Sequence, residues 1–144
     1  MADKETIRRG DFRHFRTIPT RWLDNDVYGH VNNVVYYSYF DTAVTGHLVD
    51  SGVLDYRNAK VIGIVVETRC HFLKELAFPE EVHAGIRIAR LGNSSVRYEI
   101  GLFSGEDEEP AATGHFVHVY VDRETRRPVR IPDAVREAMA PLVV

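Results

Sequence analysis

The chain has a single cysteine, Cys70, so it can form no internal disulfide, and a reducing compartment is expected. It has no apolar run near the ~20 residues of a membrane span. Its first residues, Met1-Ala-Asp-Lys-Glu-Thr-Ile-Arg-Arg9, lack the apolar core of a signal peptide. The cytoplasm is therefore the expected location, and no membrane partner is expected. Neither sign of charge dominates: 18 Lys and Arg stand against 21 Asp and Glu, for a net charge of -3. That balance gives no general pull toward nucleic acid or an anionic membrane surface. No repeat, low-complexity tract or linker interrupts the sequence. Its 144 residues, 44% of them hydrophobic, fit one globular domain, 1–144.

What the sequence does hold, at unusual density, is a polar loop feeding an apolar helix. Residues 24–33 read Asp-Asn-Asp-Val-Tyr-Gly-His-Val-Asn-Asn. They bring together two carboxylates (Asp24, Asp26), Gly29, His30 and two asparagines (Asn32, Asn33). The run from Val34 to Val49, with Tyr36, Tyr37, Tyr39, Phe40, Val44 and Leu48, is apolar over most of a helical circumference. That is the pattern of a buried helix. Asn32 or Asn33 suits its N-cap, and Asp50-Ser-Gly52 is a stop signal. A helix N-terminus presents unsatisfied N–H groups and partial positive charge. It can hold an anion or a developing oxyanion. An aspartate just ahead of it can serve as base or nucleophile. The same residues also suit plain turns and caps, and the residues alone leave both readings open.

The rest of the chain reads as strands. Residues 1–10 are polar and expected to fray at the start. Phe12–Ile18 predicts a strand with Phe12, His14, Arg16 and Ile18 on one side, and Trp22 is expected to pack. Val61–Leu73 is long and β-branched, and its first half is apolar on both faces, which predicts a central, covered strand. Val82–Leu91, Ser95–Phe103 and Ala111–Val121 follow as strands, with a hairpin signal at Gly92-Asn-Ser94 and an acidic turn at 105–110. Pro132–Pro141 predicts a short C-terminal helix. Four sequential strands with short connections predict an antiparallel meander curving around the helix, an α+β fold. His115 and His118, three apart on a strand, point to opposite faces, so no metal site is expected there. Cys70 reads as a packing residue.

The segment Asp24-Asn-Asp-Val-Tyr-Gly-His-Val-Asn-Asn33, ahead of a helix carrying Tyr36 and Phe40, resembles the hotdog-fold thioesterases. It looks most like the 4-hydroxybenzoyl-CoA thioesterase branch, which includes acyl-CoA thioester hydrolases. Arg90-Leu-Gly-Asn-Ser-Ser95 is similar to a turn of that family, as is Val119-Tyr-Val-Asp122 followed by Ile131-Pro132. The resemblance implies a hotdog fold, an antiparallel sheet of about five strands wrapped around a long central helix. It implies hydrolysis of an acyl-CoA to carboxylate and CoA, with no metal or other cofactor.

Carried over residue by residue, the resemblance gives Asp26 the catalytic role, attacking the thioester carbonyl or activating water. The backbone amide of Asn33, or of Val34 beside it, would polarise that carbonyl. Gly29 would let the loop turn and a ligand approach. His30 matches a histidine used beside the aspartate in plant acyl-carrier-protein thioesterases. The asparagine of those enzymes is Tyr28 here, which favours the simpler aspartate scheme. Asp24 is expected to be a structural partner of the loop. The family's run of basic residues for the CoA phosphates is replaced by Gly92-Asn-Ser94, leaving Arg90, Arg87, Arg97 and Ser95 as candidates. Hotdog domains pair through sheet edges, so a homodimer or homotetramer is implied, with Val61–Val66 in the pairing edge. Two other functions fit the same fold: a non-catalytic acyl-CoA-binding module, and a dehydratase acting on an acyl thioester.

Overall fold

The computed structural model describes residues 7–144. The elements in chain order are β1 (His14–Pro19), α1 (Asn33–Asp50), β2 (Val61–Phe72), β3 (Glu81–Leu91), β4 (Ser95–Ser104), β5 (Ala112–Asp122) and α2 (Asp133–Met139). One five-stranded sheet forms in the order β1-β3-β4-β5-β2, every neighbouring pair antiparallel. The sheet wraps one side of α1, the hotdog arrangement. Side chains alternate across strands. Val82, Ala84, Ile86 and Ile88 of β3 and Val96, Tyr98, Ile100 and Leu102 of β4 therefore point together at Tyr36, Tyr39, Phe40, Ala43, Val44 and Leu48 of α1. Gly114 of β5 lets the helix come close: a Cβ there would lie 2.5 Å from the Phe40 ring and would collide with the Arg69 carbonyl. No helix among the described residues is long and apolar enough to cross a membrane.

Five expectations change. The meander holds only for β3, β4 and β5, because β2 lies at the far edge against β5 rather than beside β3. Residues 73–80 make this possible by crossing the end of the sheet. β2 is therefore not a covered central strand: Ile64, Val65 and Val66 are exposed. Trp22, 75% exposed, packs only at its edge against Phe78, with ring centroids 6.0 Å apart. Phe12 precedes β1 and joins Phe15 and Phe103 on the outer face of the sheet, away from α1, with Arg9 over the Phe15 and Phe103 rings. Finally, α1 is enclosed on one side only, since Val34, Ser38, Asp41 and Thr42 are exposed. The expectation of fraying falls partly on residues 1–6, which lie outside the described residues; Arg9–Asp11 form a helical turn tied to Asp107.

Candidate active site

The loop between β1 and α1 is shaped by hydrogen bonds to its own backbone. The Gly29 amide donates to the Asp26 carbonyl at 3.0 Å, and the Asp26 amide donates to the His30 carbonyl at 2.9 Å. Gly29 sits at φ 83°, the left-handed region that glycine enters without a Cβ penalty. One oxygen of Asp26, Oδ1, accepts from the Tyr28 amide at 2.8 Å, and the other has no hydrogen bond among the described residues.

Asp24 anchors this loop. It is 1% exposed and accepts from the Arg21 amide (2.9 Å), the Arg21 guanidinium (2.8 and 3.0 Å) and the Tyr39 hydroxyl (2.8 Å). Burial opposes its ionisation, but the hydrogen bonds from Arg21 and Tyr39 outweigh it and hold the carboxyl below the usual carboxylate range. Burial and the Asp24 carboxylate together push the Tyr39 hydroxyl upward. Asp24 is thus spent on architecture, as expected, while Asp26 keeps an oxygen free.

The crossover 73–80 pins the loop from the other side. Val31 donates its amide to the Leu76 carbonyl at 2.7 Å, and the Leu76 amide donates to the Tyr36 hydroxyl at 3.3 Å. The Phe78 amide donates to Asn25 Oδ1 at 3.0 Å, and His30 Nε2 lies 2.9 Å from Glu75 Oε2.

Asn32 is the N-cap of α1: its Oδ1 accepts from the Val34 amide at 3.1 Å. Its carbonyl accepts from Val35 at 2.9 Å. The Asn33 amide has no partner among the described residues. Of the two amides named from the sequence, that of Val34 is therefore occupied and that of Asn33 is available.

A cleft of about 380 Å³ opens where these elements meet, lined by Asp26, Tyr28, His30, Asn33 and Tyr36 with Phe72 at the end of β2 and Leu73–Glu75 of the crossover. Four of the residues singled out in the sequence thus share it: Asp26, Tyr28, His30 and Asn33. Gly29 lies on the other side of the loop, beside Trp22 and Val27, and Val34 is exposed next to the cleft rather than lining it. Arg90 and Ser95 are elsewhere in the chain, on the β3–β4 hairpin, across from Arg97 and Val119. Arg87 is paired to Glu99 at 2.8 Å. Sequence reasoning missed Phe72, Leu73, Lys74 and Glu75. Nothing in their spacing marks them, because the crossover alone brings them to the loop.

His115, His118 and the cysteine are separate from this site. His115 lies 2.6 Å from Glu67, while His118 is buried against Phe116 and Tyr98. No cluster of three or more potential metal ligands occurs among the described residues. Burial pushes the Cys70 thiol up to about 12, which suits packing rather than nucleophilic work.

A hotdog fold with a cleft at the head of its central helix is the architecture of the thioesterase-like class. The sequence pattern of the thioesterase-like superfamily matches residues 20–139, and the chain belongs to that superfamily. Its structure is similar to that of the PA5185 protein from Pseudomonas aeruginosa strain PAO1, with 51% identity, a TM-score of 0.92, and 94% of this chain and 95% of that one covered. It is also similar to PA2801, a putative thioesterase from the same species, with 33% identity, a TM-score of 0.82, and 88% and 98% covered. The 1,4-dihydroxy-2-naphthoyl-CoA thioesterase Slr0204 from Synechocystis shares the fold, at 14% identity and a TM-score of 0.80 over 88% and 94% of the two chains. The superfamily match and the likeness to PA2801 support thioester hydrolysis as the general activity.

Proposed function

We propose that the chain hydrolyses acyl-CoA thioesters, releasing a carboxylate and CoA. The observation that carries this reading is the pairing of Asp26, with one carboxylate oxygen unengaged, and the unpartnered Asn33 amide on a single cleft. A thioester carbonyl seated there has its oxygen toward the Asn33 amide at the positive end of α1. Asp26 either attacks the carbonyl carbon or takes a proton from the water that does. The C–S bond breaks, the thiolate leaves and is protonated, and the oxygen of water ends in the carboxylate. No metal or other cofactor takes part. His30, bound to Glu75, holds the loop and the cleft wall together, and Tyr28 stands exposed at the cleft's edge. CoA as carrier is supported by Lys74, a basic residue of the cleft itself whose ammonium lies 3.8 Å from Asp107, while Arg90 and Ser95 serve the phosphates only if a second subunit carries them there.

A homodimer paired along the free edge of β2 belongs to the same reading. Ile64, Val65, Val66, Phe72 and Leu73 are exposed on that edge or just beyond it. An unpaired apolar edge calls for a partner, and the same chain offers one by two-fold symmetry.

The test is a panel of acyl-CoAs with released thiol as readout. Thiol release from at least one acyl class is the expected result. Tight binding without turnover across the panel would instead favour an acyl-CoA-binding module, and hydration of an enoyl-CoA would favour a dehydratase.

A further inference from the structure

A second cavity, of about 270 Å³, lies between the middle of α1, the 53–59 loop and the helix-facing side of β2 and β5. It shares no lining residue with the cleft at Asp26. Leu48, Val53, Val61, Val65 and Val135 make its walls largely aliphatic. Two polar side chains break that pattern, Tyr120 and Asp41.

Tyr120 lines the cavity from β5 and is 5% exposed. Its ring leans across to Gly63, its cross-strand neighbour on β2. A Cβ at Gly63 would lie 3.0 Å from Tyr120 Cζ, the carbon that carries the hydroxyl, and Gly63 is itself part of the cavity wall. The hydroxyl has no hydrogen-bond partner among the described residues. The unpaired polar atoms sealed from solvent are Tyr98 Oη, His118 Nε2 and Arg136 Nε, and Tyr120 Oη is not one of them. It is thus unpaired, at the cavity wall and open to the space beside it. Burial pushes its pKa up to about 12, so near pH 7 it keeps its proton and an oxygen able to accept. Polar groups on side chains this deeply buried are nearly always paired, so an open, unpaired one points to a ligand.

Asp41 lines the same cavity from α1. Its Oδ1 accepts only a long bond from the Thr45 hydroxyl, at 3.4 Å, and its Oδ2 accepts none among the described residues. Asp55 is occupied by its own loop, where Oδ1 accepts from the Arg57 and Asn58 amides. The Arg123 guanidinium is held by the carbonyls of Tyr56, Arg57 and Ala59. His118 adds no positive charge near pH 7, because burial pushes its pKa down to about 4. Two carboxylates against one guanidinium leave the cavity an excess negative charge, and Asp41 is the carboxylate with an oxygen free.

We propose that this cavity binds an aliphatic amine, whose ammonium group donates hydrogen bonds to the Asp41 carboxylate and to Tyr120 Oη while its hydrocarbon body lies against Leu48, Val61 and Val65. The ammonium cancels the excess charge, and the aliphatic walls lose water to the hydrocarbon. An alcohol pairs with Tyr120 and leaves the charge standing. A carboxylate adds a second like charge beside Asp41. The site stands independently of the hydrolase reading of the cleft.

The experiment titrates the wild-type protein at pH 7 with hexylammonium, 1-hexanol and hexanoate, three probes with the same six-carbon chain, following backbone amide resonances. Hexylammonium should move the amides of Thr45, Gly63 and Val65 and leave those of Tyr28 and Asn33 in place. It should bind about tenfold tighter than hexanol, the margin of a charge-assisted over a neutral hydrogen bond, and hexanoate weakest of all. Asp41→Asn should remove the preference for hexylammonium over hexanol with an unchanged denaturation midpoint. Tyr120→Phe should weaken hexylammonium about fivefold, the worth of one neutral hydrogen bond. Equal binding of hexylammonium and hexanol, shifts confined to residues outside the cavity, no binding of hexylammonium, or a preference undiminished in Asp41→Asn would each overturn the proposal. The wild-type comparison decides even where a variant fails to fold, and none of these results bears on thiol release at the cleft.

Discussion

The Tyr39 hydroxyl donates to Asp24 Oδ2 at 2.8 Å, tying the second turn of α1 to the loop two residues ahead of Asp26. This bond, with the three from Arg21, fixes where the loop leaves β1 and so where Asp26 stands. Tyr39→Phe removes one donor from a carboxylate that keeps the others, and should cost about 1–2 kcal/mol in urea denaturation. Asp24→Ala strands the buried Tyr39 hydroxyl and should cost more, about 3 kcal/mol, with a parallel loss of activity. Equal stability of Asp24→Ala and the wild type would show that the loop is held by other means.

Gly29→Ala tests the loop's backbone alone. Nothing lies within 4 Å of a Cβ added there, so the substitution creates no clash, but φ is 83°. The expected loss is about 1–2 kcal/mol of stability, measurable as a lower denaturation midpoint. An unchanged midpoint would mean that the loop relaxes freely.

His30 and Glu75 bridge the loop and the crossover at 2.9 Å, both substantially exposed. Exposed pairs contribute little, so His30→Ala should change stability by less than about 1 kcal/mol. Its effect on kcat separates the roles: a fall matched by Glu75→Gln marks the pair as a positioning device, and a much larger fall in His30→Ala alone marks direct participation of the imidazole.

The buried histidine sets a pH dependence. The pKa of His118 is about 4 in the folded chain against an ordinary 6.5, because burial disfavours its charge. Above pH 6.5 neither folded nor unfolded chain holds that proton, and His118 has no effect. Between 6.5 and 4 the unfolded chain takes it up and the folded chain does not, so stability falls with falling pH. The loss across that window is roughly 3 kcal/mol. His14, lowered by burial and by His47, acts in the same direction. Urea midpoints at neutral and mildly acidic pH should show the decline in the wild type and a shallower one in His118→Phe.

The legible part of this protein was its local part. Asp26, Gly29, Asn32 and Asn33 act through turn, cap and helix-end geometry, all within ten residues, and the sequence showed the arrangement directly. What stayed hidden depends on distant chain. The free edge at β2 follows from pairing with β5 some fifty residues later, and alternation reports two apolar faces without saying whether anything covers them. The Asp24–Tyr39 bond and the crossover residues Leu73–Glu75 come to the loop only through tertiary packing. Trp22 shows the same limit: a large apolar side chain is 75% exposed where composition predicted packing. The cavity at His118 was invisible because a strand histidine says nothing of its partners.

The most direct test of the account is Asp26→Asn, assayed for thiol release from the best acyl-CoA alongside its denaturation midpoint. Hydrolysis should fall by roughly 10²–10⁴ with the midpoint unchanged. Turnover within a factor of about two of the wild type, in a folded variant, would remove Asp26 from the mechanism.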